Sequence, residues 1–288
     1  MLSYARAVVQ EAEANSDSLS RDDVFAVTRQ LGLDDFGELL MLMPNPEFPK
    51  LSRLLPAMAS DEVQNNWTGT HGYRLLGQTC NFVRSLSYNY TSITGKSLRD
   101  ARVLDFGCGY GRIARLMYYF IDTANVVGVD PWDLSIEECR TANLGPNFLQ
   151  SDYLPTSLPV GDATFDLVYA FSVFTHLSRR AFLQALETIR RYVKPGGVLC
   201  ITIRPAEYWD YESPTSSPSQ REELKRAHFR DGFAFIPHNV APIDGDLTYG
   251  DTSVSLAWLG QNSPGWQRVG IDRSLDDALQ IYVFLKAV

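Results

Sequence analysis

The sequence predicts a doubly wound α/β fold: a mostly parallel sheet with an antiparallel C-terminal hairpin, preceded by a helical extension over residues 1–65. Three observations carry this. From residue 101 short apolar runs alternate with single helical patterns, the rhythm of strands joined by crossover helices. The first 65 residues show helical spacing and no strand-like run. The last two strand-like runs, 266–271 and 280–285, are joined by a short polar connection instead of a helix.

Taken in order, Ser20 and Asp23 form a capping box that opens a helix with Val24, Val27 and Leu31 on one face, ending before Gly32. A second apolar face, Phe36, Leu39, Leu40 and Met43, stops at Met43-Pro44-Asn45-Pro46. Val103–Phe106 reads as the first strand, and Ile113, Leu116, Met117 and Phe120 mark the helix after it. Asn125–Val129 is the second strand and runs into Asp130. Ser135 with Glu138 then predicts a capping box and a helix reaching Gly145-Pro146. Phe148–Gln150 and Asp166–Phe171 are the third and fourth strands. Ser178 caps a helix facing Phe182, Ala185, Leu186, Ile189 and Val193 inward, which Lys194-Pro195-Gly196-Gly197 ends before a fifth strand at Val198–Ile203.

Residues 66–288 therefore read as one catalytic-type domain with an insertion at about 205–255. The insertion holds a Ser/Pro-rich stretch from Glu212 to Gln220 and many aromatics. Leaving the sheet beside its carboxyl edge, it is placed to cover a ligand crevice.

Composition bounds the partners. Apolar residues make up 45% of the 288 and charged residues 21%, ordinary for a globular chain. The formal net charge of −8 argues against a nucleic-acid backbone as substrate. Four cysteines, Cys80, Cys108, Cys139 and Cys200, lack metal-ligand or C-x-x-C spacing, and we expect free thiols in a reducing compartment. No acidic or Cys/His constellation suggests a metal. No apolar run reaches the ~18 residues of a membrane span, and Met1–Glu13 lacks a signal-peptide core. The expectation is a cytoplasmic protein without a membrane partner, its N-terminal helices a cap or a homodimer interface.

The chemistry centres on VLDFGCGYGR, residues 103–112. Gly107, Gly109 and Gly111 lie between a strand and a helix, where a ligand passes close to the backbone and a side chain would block it. The spacing is G-x-G-x-G. The dinucleotide fingerprint G-x-G-x-x-G would need its third glycine at position 112, which is Arg112, so an NAD-dependent oxidoreductase is disfavoured. Asp130 closes the second strand 25 residues after Asp105, where a carboxylate can accept from both hydroxyls of a ribose.

With VVGVDP, SDYLP, FDLVYAFSVFTHL and VKPGGVLCITI following in register, residues 66–288 resemble the class I S-adenosylmethionine-dependent methyltransferases. They resemble especially the bacterial group acting on small molecules and sugars, whose fold is Rossmann-like. The resemblance implies S-adenosylmethionine as cofactor and S-adenosylhomocysteine as product. It implies that Asp105 orients the methionine amino group and that Phe106, Gly107, Cys108, Gly109, Gly111 and Arg112 line the methionine and ribose. Asp130 would bind the ribose hydroxyls with Pro131 and Trp132 beside the adenine, which Asp152 and Tyr153 would also meet. Ala170, Phe171 and Ser172 would pass under the reactive methyl. In the segment Asn66–Tyr73, Trp67 and Tyr73 stand where such enzymes close over the cofactor, although a plain linker fits the same residues.

The motifs say little about the acceptor. A hydroxyl acceptor calls for a general base near neutrality. His176 stands beside the expected methyl position, His71 in the closing segment, and His228 and His238 in the insertion; each also fits a structural role. His176, His71 and His238 are the candidate bases, and Arg204, Tyr208 and His228 the candidate acceptor contacts. The fourth strand is not followed by an (Asn/Asp)-Pro-Pro-(Tyr/Phe) loop, which disfavours amino methylation of a flipped DNA base. The expectation is methylation of a small molecule, O-directed in preference to N- or C-directed, on a sugar or natural-product-like metabolite. A SAM-binding subunit without catalysis and a non-methyl enzyme of the same fold stay open.

Overall fold

A computed structural model describes residues 1–162, 164–211 and 216–288. The start of the Ser/Pro-rich stretch, 212–215, lies outside the described residues. The chain packs as two compact units, one of residues 1–91 and 96–151, the other of residues 92–95 and 152–288. The fold class is the one the sequence predicts, Rossmann-like α/β with mostly parallel strands and antiparallel strands at the C-terminal end.

The first unit begins with helices α1 (Ser3–Asn15), α2 (Arg21–Thr28), α3 (Leu33–Met41), α4 (Leu51–Leu54) and α5 (Asp61–Thr68). The capping box is formed: the Ser20 hydroxyl accepts from Asp23 N–H, and the Asp23 carboxylate accepts from Ser20 N–H. Phe36, Leu39 and Leu40 of α3 are fully buried, which explains their spacing. Helix α6 (Gly72–Thr94) was not evident in the sequence; its stripe of Leu75, Cys80, Phe82, Val83 and Leu86 is buried despite a polar composition.

Strands β1 (Val103–Phe106), β2 (Val126–Asp130) and β3 (Phe148–Gln150) of this unit run parallel in the order β3-β2-β1. Both β1 and β2 are buried along their whole length, as a sheet covered on both faces requires. Helix α7 (Arg112–Met117) follows β1, and α8 (Asp133–Thr141) follows β2. The expected capping box at Ser135 is not formed. The helix starts earlier, from Trp132, because the Asp130 carboxylate already holds the Trp132 N–H, and Ser135 is left free for other bonds.

In the second unit β4 (Phe165–Ala170) and β5 (Val193–Ile203) are parallel, β9 (Ile281–Ala287) is antiparallel to β5, and β8 (Trp266–Arg273) is antiparallel to β9. Helix α9 (Arg179–Tyr192), capped by the Ser178 hydroxyl, buries Phe182, Ala185, Leu186 and Ile189. Strand β5 begins at Val193 and runs through Lys194–Gly197, residues the sequence reads as a terminator. The insertion has its own structure: helix α10 (Pro218–Asp231), a two-stranded antiparallel sheet of β6 (Phe233–Pro237) and β7 (Gly250–Val254), then helix α11 (Leu256–Gln261). Phe182 of α9 meets Phe174, Phe233 and Trp258 edge-on at centroid distances of 4.7–6.0 Å, which fixes the insertion to its own unit. Among the described residues no helix is long and apolar enough to cross a membrane.

Gly111 has φ +75°, and a Cβ there would fall 2.3 Å from Leu144 Cδ1. Gly111→Ala combines a left-handed backbone with overpacking, costs of about 1–2 and 1–3 kcal/mol respectively. We expect urea unfolding to show a loss of about 2–4 kcal/mol, against no more than about 1 kcal/mol for Gly77→Ala, which has open space around it.

Candidate active site

In the first unit the chain turns sharply between β1 and α7, and Gly107, Gly109 and Gly111 all take positive φ (79°, 52° and 75°). Gly107 and Gly109 are half-buried, whereas Gly111 is buried with no room for a Cβ beside Leu144. Gly107 and Cys108 N–H donate to the Val129 carbonyl, which ties the turn to the end of β2. Asp130 finishes the tie: Oδ2 accepts from Gly109 N–H at 2.8 Å and Oδ1 from Trp132 N–H at 2.9 Å. Burial pushes its carboxyl above the usual range, opposed by these bonds and by one from Ser135. With these three donors the carboxylate keeps room for one further hydroxyl.

Helix α5 adds the cover. Trp67 Nε1–H donates to Ser135 Oγ at 3.0 Å, and its ring stacks on Trp132 with centroids 4.5 Å apart and planes 21° apart. A Cβ on Gly109 would come within 3.1 Å of the Trp67 ring. Trp67, Ser135 and Asp130 therefore form one chain of contacts over the glycine turn. The sequence marked Trp67 but missed Ser135, whose signal was masked by an apparent capping role. Tyr73 is placed differently: its ring is exposed and its hydroxyl donates to Glu38 Oε1 at 2.7 Å. His71 is also on the surface, with Nδ1 3.1 Å from Asn65 Oδ1. Asp105 is buried at the end of β1 with Phe106 and Cys108, and Arg112 Nη1 donates to Thr79 Oγ1 at 3.0 Å.

Asp152 and Tyr153, assigned to the second unit, are exposed at its start. There Ala170, Phe171 and Ser172 leave β4, and Ser172 holds φ +58°, rare for a residue with a side chain. Thr202 Oγ1 accepts from its N–H at 2.7 Å, while Gln280 Nε2–H donates to its hydroxyl at 3.3 Å. Ser172 is thus held by Thr202 of β5 and by Gln280, just before β9.

The same unit brings together four of the predicted residues, Arg204, His176, Tyr208 and His238. Arg204, at the end of β5, donates from Nη1 to Asp251 Oδ1 at 2.8 Å and to the Thr175 carbonyl at 3.0 Å. Its Nη2 lies 3.2 Å from His176 Nε2, and its Cζ stands 4.1 Å from the centre of the Tyr208 ring. His176 Nδ1 lies 2.7 Å from the Gly250 carbonyl, which can only accept, so the proton sits on Nδ1 and Nε2 accepts from Arg204. Burial and the neighbouring guanidinium push the His176 pKa down to about 4. Arg204 first, among the charges around it, holds the Asp251 carboxyl below the usual range against the effect of burial. Burial lifts the Tyr208 hydroxyl to about 12. His238 joins through Nε2, 3.2 Å from Asp251 Oδ2. His228 is outside the cluster: it is buried on α10 with Nδ1 2.9 Å from Ser253 Oγ, which also accepts from Trp209 Nε1. Asp251 was not singled out in the sequence, because a lone acid in an insertion has no motif.

Residues 104–201 match the methyltransferase domain family. A sterol 24-C-methyltransferase of Schizosaccharomyces pombe is 32% identical over 199 residues, covering 65% of this chain and 49% of that protein. These matches support a class I S-adenosylmethionine-dependent methyltransferase domain around residues 104–201. A malonyl-[acyl-carrier protein] O-methyltransferase of Enterobacter lignolyticus is 31% identical over 109 residues, 38% of this chain and 41% of that protein. The chain thus spans about half the length of these curated relatives or less. A solved S-adenosylmethionine-dependent methyltransferase of Clostridium acetobutylicum shares the fold at TM-score 0.51 and 11% identity, covering 78% of this chain and 96% of that one. S-adenosylmethionine is the cofactor these matches support, and the glycine turn beside the Asp130 carboxylate supplies backbone and acceptor groups compatible with it.

Two outcomes are expected here. Asp130→Ala should weaken S-adenosylhomocysteine binding in calorimetry by about 1–3 kcal/mol, the cost of leaving a buried hydroxyl unpaired. His176, with a folded-state pKa of about 4 against an ordinary 6.5, binds fewer protons folded than unfolded between those values. Its contribution, on the order of 2–3 kcal/mol, is complete above about pH 6.5 and lost as the pH falls towards 4. Stability measured across that window should fall less steeply in His176→Gln than in the wild type.

Proposed function

We propose that the protein transfers a methyl group from S-adenosylmethionine to a small-molecule acceptor, with oxygen as the favoured attacking atom. The observation that carries this is the pairing, in one chain, of a nucleotide-type glycine cradle with a buried cluster of imidazole, guanidinium, carboxylate and phenol groups in the second unit. The bound cofactor would supply an electrophilic methyl on a sulfonium. The protein's part is to hold it through Asp105, the glycine turn, Asp130 and Trp67, to exclude water, and to orient the acceptor.

Arg204, Tyr208 and Tyr249 give the cluster aromatic faces and donors suited to a ring or sugar bearing hydroxyls. The similar proteins named above are a sterol 24-C-methyltransferase and a malonyl-[acyl-carrier protein] O-methyltransferase, and a third is an O-methyltransferase of Aspergillus nomiae, 33% identical over 111 residues. They support an acceptor that is not a nucleic acid, as does the net charge of −8. The test is transfer of radiolabelled methyl from S-adenosylmethionine to a panel of sugars, phenols and fatty acyl derivatives. Labelled product lost in Asp130→Ala supports the reading. Cofactor binding with no product on any acceptor class favours a non-catalytic SAM-binding role instead.

A further inference from the structure

Next to the glycine turn the first unit buries a positive charge that makes no ion pair among the described residues. Arg115 on α7 is 1% exposed, and Tyr110, within the turn itself, is 2% exposed. The guanidinium donates from Nη1 to the Tyr110 carbonyl and from Nη2 to the Ala57 carbonyl at 2.9 Å. Its Cζ stands 5.6 Å from the centre of the Tyr110 ring. These contacts are dipoles and a ring face, and none carries a full negative charge. The Arg115 Nε–H is buried without an acceptor, and the Tyr110 hydroxyl is buried without a partner. Burial pushes the guanidinium pKa below its usual range, against Cys139, Tyr110, Tyr118 and, last, Glu138. An arginine in a protein nevertheless keeps its proton, so the charge stays and calls for an opposite one.

Both side chains line one cavity of about 30 Å³ between α3, α5, α6 and α7. Leu40, Leu75 and Leu116 make much of its wall, and among the described residues no acidic side chain lines it. Two acceptors on the wall are already in use: Gln64 Oε1 takes the Gly72 N–H at 3.1 Å, and Thr79 Oγ1 takes Arg112 Nη1 at 3.0 Å. We propose that this cavity is a binding site for one monatomic anion of the halide class, with the Arg115 Nε–H and the Tyr110 hydroxyl as its donors. The volume admits a single such ion or about two waters, and is too small for a phosphate, a sulfate or the carboxylate end of a larger ligand. A water could accept from both donors. Its own hydrogens would then face leucines or occupied acceptors, and the guanidinium would remain buried without a counter-charge. A halide has no hydrogens to place and brings the missing charge. The ion would also brace the turn, since Arg115 holds the Tyr110 carbonyl and the Tyr110 ring meets Trp67 edge-on at 6.3 Å. The site lies within the first unit and is independent of the methyl-transfer reading.

The experiment uses the full chain dialysed into sodium gluconate, whose anion is too large for the cavity, and titrated with sodium bromide at constant ionic strength. Bromide at about ten times its dissociation constant should raise the melting midpoint by about 2–5 °C over gluconate alone. Tyr110→Phe removes one hydroxyl and keeps the ring, and should require about 10–100-fold more bromide for the same rise. Arg115→Met should abolish the response. That variant also loses two bonds to carbonyls, so if it does not fold the Tyr110→Phe titration decides. Crystals soaked in bromide should show an anomalous scattering peak in contact with Arg115 Nε and the Tyr110 hydroxyl, weakened in Tyr110→Phe. Water alone in the cavity at molar bromide would overturn the site, as would equal melting responses in Tyr110→Phe and the wild type. A peak in the crystal with no bromide-dependent melting in solution marks an adventitious ion only, and overturns it equally.

Discussion

The first unit depends on a single buried carboxylate. Asp130 receives N–H groups from the glycine turn and from the start of α8, so two stretches of backbone that would otherwise carry unsatisfied donors are fixed to the end of one strand. Ser135 and Trp67 extend the same network to α5. Burying a charge is costly unless it is bonded from several sides, and here the bonding groups are those that shape the cofactor cradle. Under the proposed function, structural and binding roles fall on one side chain, and the carboxylate that would hold the ribose also ties the loop down.

The second unit solves a related problem with charges of both signs. Arg204 and Asp251 are each largely buried, and each would be unfavourable alone. Paired, they leave Arg204 with donors directed at Thr175 and His176, and Asp251 with an oxygen directed at His238. The strands that carry them, β5 and β7, are bridged by the bond from Val254 N–H to the Arg204 carbonyl. The side-chain cluster thus sits on a backbone frame that is itself closed, and small displacements of its members are resisted from two directions.

Much of this was legible in the sequence where period and punctuation agree. The strand–glycine–helix passage 103–117, the acid ending β2, the Ser178 cap and the C-terminal antiparallel pair could be read because each is a local signal. Helix α6 was not, since its buried stripe is mixed with Gly, Thr, Asn and Ser and looks like a linker until packing selects a face. Strand β5 overran its apparent stop, because Val193 already pairs with Phe165 of β4 and Lys194–Gly197 form an irregularity before pairing resumes at Val198. Ser135 and Asp251 escaped for another reason: their roles arise from partners 68 and 47 residues away, which no spacing rule reports. Tyr73 was marked by its place in a motif, and its hydroxyl instead bonds Glu38 on α3.

Two indoles stacked at 4.5 Å are also an electronic object. Transition dipoles in rings that close couple, and where the dipoles are skewed to one another the coupling gives a paired signal of opposite sign in circular dichroism. One indole belongs to the covering helix α5 and the other to the turn that follows Asp130. Their coupling exists only while the cover is seated. The stacked pair therefore reports optically on the packing of α5 against the turn after β2, without label and without knowledge of the acceptor.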